Sequence, residues 1–234
     1  MAVEEEPLIG AVRDALDGDH PIEFLWLVST LILATTPLPV APESGEKPPT
    51  LDELVDSFIG VQGRESTAIL AGLGAMCSDD GAVALRCRKV AEARRDRLPA
   101  WLADLGRTAV HRVVCKTHVL GGDEEVLLGI RFADGQEMTC VVAVDSSTHA
   151  ISDAFFVPDS VGAVLSVATA ANTDPGTAFD DVPPGRARAD LQKALDRPLS
   201  MVSSQESDTW PGSRALVAWL VRLMADDRAD SPAR

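Results

Sequence analysis

Between residues 108 and 157 apolar and polar side chains alternate, and no other part of the chain does so for as long. A period of two is the mark of a strand with one face buried. Three runs carry it, 112–120, 125–133 and 137–145. They are joined by Gly121-Gly122-Asp123-Glu124 and by a short loop containing Asp134-Gly135, residues that accept the positive φ hairpins require. The stretch reads as an antiparallel meander around which the helical flanks are arranged.

A register follows from keeping the apolar set on one face, because a one-residue slip sends it to solvent. Across the first loop, pairing Leu120 with Glu125 places Val119 against Val126, Thr117 against Leu128, Cys115 against Ile130 and Val113 against Phe132. Across the second, a three-residue loop with Gly135 left-handed pairs Ile130 with Met138, Leu128 with Cys140 and Val126 with Val142. The apolar face is then Val113, Cys115, Thr117, Val119, Val126, Leu128, Ile130, Phe132, Met138, Cys140, Val142 and Val144. The opposite face carries Arg112, Lys116, His118, Arg131, Glu137 and Thr139, with Gly129 and Val141 among them, and reads as a solvated outer surface. A fourth strand is expected over 150–157, and one of its registers buries Asp153, which would then need a partner.

The flanks carry helical spacing. Leu8, Ile9, Val12 and Leu16 mark a first helix. Ile22–Ala34 is apolar around most of its circumference and must be covered on more than one side, within its own chain or by a second copy. Residues 37–49, with five prolines, read as an extended linker. Thr50 with Glu53 forms the pattern of a capping box, and further helices are expected over 64–77, 81–97 and from Pro99. Gly72 and Gly74 lack the Gly-Lys-Ser/Thr ending of a phosphate loop and suit close helix packing. After the sheet come helices over 160–171, packing Val161, Val164, Leu165 and Val167, then 186–195 and 211–225, with a loop over 172–184. The expected organisation is thus N-terminal helices (1–36), linker (37–49), a helical region (50–107), an α+β region with the antiparallel sheet (108–225) and a disordered tail (226–234). The fold class is α+β, with a central meander of three or four strands and C-terminal helices packed on its apolar face.

Composition narrows the function classes. A net charge of -15 and the absence of tyrosine disfavour a grip on nucleic acid. Four lysines against seventeen arginines suggest a G+C-rich bacterial genome, in which acidity is ordinary. The apolar run near residue 22 is about thirteen residues, short of the roughly twenty a membrane span needs. No CxxC pair occurs, and the register puts Cys115 and Cys140 on strands two apart, roughly 9–10 Å, too far for a disulfide. Reduced thiols in a cytoplasmic protein are expected, with no cofactor and no metal site assigned.

Two groups of residues are candidates for a site. Asp145, His149 and Asp153 surround the third turn, a composition able to bind a divalent ion or do acid–base work, although an Asp before Ser146-Ser147 also serves to hold its own turn. Arg86, Arg88, Lys89, Arg94 and Arg95 form the one dense basic cluster, suited to an acidic partner or simply to a solvated helix face. Cys115 and His118 lie three apart on a strand and point to opposite faces, which removes them as a nucleophile and base. The expectation is a non-catalytic protein-binding or regulatory module, acting on another protein and able to pair with itself through Ile22–Ala34. A metal-assisted hydrolase using Asp145, His149 and Asp153 is the alternative.

Overall fold

The computed structural model describes residues 2–36, 48–77, 81–197, 207 and 209–224. The chain divides into two compact units, residues 1–106 and 107–234. Most of the expected linker and the whole expected tail lie outside the described residues.

The first unit is helical: α1 Ala2–Asp17, α2 Ile22–Ala34, α3 Leu51–Gly60, α4 Arg64–Met76, α5 Gly81–Arg94 and the short α6 Ala100–Ala103. The capping box at α3 forms as the sequence spells it, the Thr50 hydroxyl accepting from Glu53 N–H and the Glu53 carboxylate accepting from Thr50 N–H. Helix α4 is central, burying Ala68, Ile69, Leu70 and Leu73. Gly72 brings α4 against α2: a Cβ there would stand 2.9 Å from Val28 Cγ2. Helix α2 buries Phe24, Leu25 and Val28, while Trp26 on its other side is 41% exposed.

The second unit holds β1 Ala109–His118, β2 Glu124–Arg131, β3 Glu137–Val144, β4 Ile151–Val157, α7 Val161–Ala171, β5 Thr177–Asp181, α8 Pro184–Leu195 and α9 Arg214–Leu223. Its sheet is antiparallel throughout, in the order β4-β3-β2-β1-β5. The strand count is therefore five. Residues 177–181, expected as loop, pair with the free edge of β1 from Val114↔Asp181 to His118↔Thr177. Only Ala178 and Phe179 are apolar in this short strand, so it presents almost no periodicity of its own.

The β2–β3 hairpin has the expected register, with Ile130↔Met138, Leu128↔Cys140 and Val126↔Val142, and Gly135 at φ +92°. The β1–β2 hairpin does not. Cys115 faces Val126 and Val113 faces Leu128, a slip of four residues from the expected pairs, with a bulge between Val110 and Arg112. Because the slip is even, Val113, Cys115 and Thr117 keep their face. Val119 and Leu120, expected in the strand, instead stand in the loop at 79% and 88% exposure. That loop is held by Gly121 and Gly122 at positive φ and by Leu120 N–H donating to His118 Nδ1 at 3.2 Å.

The opposite face is not simply solvated. Val114, Leu127 and Val141 lie side by side across three strands and are buried under Val161 of α7, with Val164, Leu165 and Phe179 packed around them. Thr139 is buried and donates to the Asp159 carbonyl at 2.8 Å. Helix α7 crosses this face as it carries the chain from β4 at one edge to β5 at the other. Val167, expected to pack, is 71% exposed. The first face, with Val126, Leu128, Ile130, Met138, Cys140 and Val142 buried, receives α8 and α9.

Candidate functional site

The third turn is built by Asp145. Its Oδ1 accepts from Ser147 N–H (3.0 Å), Ser147 Oγ (2.6 Å), Thr148 N–H (2.6 Å) and Thr148 Oγ1 (2.8 Å). Those hydrogen bonds, the Ser147 hydroxyl first, hold the carboxyl well below the usual carboxylate range. The turn ends on His149 at φ +53°, whose N–H donates to the Asp145 carbonyl at 2.7 Å. A second tie runs to the neighbouring loop, where Asp123 Oδ1 accepts from Ser146 N–H at 3.0 Å. Asp153 is engaged elsewhere. Its Oδ1 accepts from Ser207 Oγ at 2.6 Å, from Thr209 Oγ1 and from Ala154 N–H, fastening β4 to the segment that enters α9. Asp153 is half-buried, and its side-chain partners are a pair of hydroxyls. The three residues do not gather into one centre, and among the described residues no group of three or more His, Cys, Asp or Glu is placed to hold a metal ion.

The basic cluster is largely drawn into the first unit. Arg86 pairs with Asp52 at 3.0 Å and Asp56 at 3.3 Å. Arg94 donates to the Phe58 and Ile59 carbonyls at 3.1 and 2.6 Å, closing the C-terminal end of α3. Arg88 donates to the Gly74 carbonyl at 2.9 Å, and its stem lies where a Cβ on Gly74 would be. Lys89 and Arg95 remain on the surface.

The turn presents His149 to a cleft that sequence reasoning did not find. It lies between α8 and the end of the sheet where the β1–β2 loop and the third turn meet, with a volume of about 480 Å³. The sheet contributes Cys115, Thr117, Val126 and Val144, and α8 contributes Ala187, Leu191 and Ala194. Ala187, Leu191 and Ala194 recur at the helical period, so one stripe of α8 faces the floor while Arg186, Asp190 and Lys193, with Arg197 just beyond the helix, line the rim. Glu124 and Asp180 lie on the sheet side. Lys193 is paired with Asp190 at 3.1 Å. Glu124, Asp180, Arg186 and Arg197 make no ion pair among the described residues.

Cys115 reports the character of this place. Burial, and next the Glu124 carboxylate, push its thiol up. Cys140 is driven the same way by burial alone, and Cys87 in the first unit to about 11. None of the four cysteines is in a disulfide. A shift in this direction disfavours the thiolate, the nucleophilic form, and suits Cys115 to the floor of the cleft. Compared with protein-family models, with curated proteins and with solved structures, the chain matches none.

Proposed function

We propose that this chain is a non-catalytic, cytoplasmic binding protein of regulatory type, and that the cleft between α8 and the sheet seats a short peptide segment of a protein partner. The observation that carries this reading is the cleft itself: a volume within the range of ligand sites, an apolar floor, and a few charges that make no ion pair among the described residues. The burial that raises the Cys115 thiol and the turn-bound Asp145 support binding over chemistry. Self-association through Ile22–Ala34 belongs to the same proposal, supported by the exposure of Trp26 beside the partly exposed Leu27 and Leu31. Among the described residues no helix is long and apolar enough to cross a membrane.

The test is panning of a random peptide library against the purified protein and its Ala194→Trp variant, which fills the floor from α8. Peptides of a common pattern that bind the parent and lose at least tenfold in affinity for the folded variant are expected. Selected peptides that bind both proteins alike place the partner elsewhere and overturn the reading.

A further inference from the structure

The four charges of the cleft that make no ion pair among the described residues are sorted by wall. Arg186 and Arg197 belong to the α8 wall, Glu124 to the start of β2 and Asp180 to the end of the outer strand β5. Asp190 and Lys193 neutralise one another between the two arginines. The helix side is therefore positive and the sheet side negative, across a floor of Cys115, Val126, Val144 and Leu191. Arg186, in the first turn of α8, adds its charge to the positive dipole end of a twelve-residue helix. A chain of net charge -15 places a locally balanced, oriented pair of opposite fields here.

An uncharged ligand would gain nothing from the charges of either wall. An anion alone meets the sheet carboxylates, and a cation alone meets the arginines. The chemistry that satisfies both is one cationic end and one anionic end joined by an apolar body. Resting on the peptide-binding reading above, we propose that the cleft selects a short apolar peptide with both termini free, its carboxylate on Arg186 and Arg197, its ammonium on Glu124 and Asp180, and its side chains on the floor. The guanidinium's fork suits a carboxylate, which places the C-terminus on the helix wall.

The probe is the tripeptide Leu-Leu-Leu in four forms: free, N-acetylated, C-amidated and blocked at both ends, titrated calorimetrically into the full chain. The free form is expected to bind best, with each block weakening it at least tenfold. In an Arg186→Gln/Arg197→Gln variant the free and amidated forms should bind alike, and in a Glu124→Gln/Asp180→Asn variant the free and acetylated forms should. Every substituted side chain is exposed, and circular dichroism checks that the fold is kept. Equal binding of all four forms, abolished by Ala194→Trp, overturns the selection for free termini and leaves the peptide cleft standing. Absence of binding by any form, while library-selected peptides still bind in the Ala194-dependent way, does the same. If neither tripeptides nor library peptides bind, both readings fail together.

Discussion

Gly129→Ala isolates the contact on which the second sheet face depends. Gly129 sits in the central strand β2 opposite Thr139 and Arg112, and its φ is not in the left-handed region, so alanine meets no backbone objection. The objection is steric. A Cβ there stands 2.7 Å from Val161 Cγ1, 3.0 Å from Val161 Cβ and 3.3 Å from His111 Nε2. Overfilling a packed site costs about 1–3 kcal/mol, against about 0.4–1 kcal/mol returned by restricting the unfolded chain. The variant should therefore lose about 1–2 kcal/mol. Val161→Ala removes two buried methyl groups and should lose about 2 kcal/mol at about 0.8 kcal/mol each plus a small cavity. In the double variant the shortest contact is gone while the 3.0 Å approach remains, so relief is partial, and the coupling energy should be near -1 kcal/mol. Urea titrations followed by hydrogen exchange at the β2 amides read this unit without the helical one. A neutral or stabilising Gly129→Ala, or costs that simply add, would refute the claim that α7 rests on this glycine.

His111 gives a pH-dependent counterpart. Burial, and after it the Arg131 guanidinium, lower its pKa, while Glu137 at 3.5 Å pulls the other way but is shared with Arg131 at 2.6 Å. A folded-state pKa below the ordinary 6.5 means that its contribution is complete above 6.5 and is lost as pH falls through the folded value. An NMR titration should show His111 deprotonating below the ordinary histidine range, and the urea midpoint of His111→Gln should fall less than that of the parent between pH 7 and pH 5. An equal fall in both would reject the assignment. For self-association, light scattering should report twice the 24.8 kDa chain mass for the parent and the single mass for Trp26→Glu. A parent protein of single mass would show that the Ile22–Ala34 helix is not an interface.

The legible parts of the fold are those in which two independent local signals agree. The β2–β3 hairpin had both its alternation and the positive-φ Gly135, and together these admit one register. The α3 cap had Thr50 and Glu53 at the right spacing. The β1–β2 hairpin had alternation, which is unchanged by any even slip, and a four-residue connector whose two glycines admit more than one turn, so parity came out right and pairing did not. That slip also concealed the second core. In the expected register Val114 would stand opposite Arg131 and Leu127 opposite His118, and the face looks polar. In the observed one Val114, Leu127 and Val141 are direct lateral neighbours, and an apolar patch appears under α7. Strand β5 was illegible for a different reason: its pairing belongs to the edge of β1, not to its own five residues.

The same four-residue slip accounts for the cleft. Had β1 run through Leu120, the side chain of Val119 would have continued the apolar face beyond Thr117 and paired against Val126, closing the end of the sheet. Instead β1 ends at His118, Val119 N–H bonds the Gly176 carbonyl at 2.9 Å, and the apolar pair Val119-Leu120 turns out to solvent. Cys115, Thr117 and Val126 are left as the last floor residues, with Glu124 at the lip and Asp180 brought opposite Cys115 by the strand that claims the vacant edge. Helix α8 then spans an end of the sheet that the local pattern would have filled. The place where local hydrophobic pattern and long-range pairing disagree is thus the place where a cavity opens, and the pairing that wins is the one that leaves the cleft unfilled.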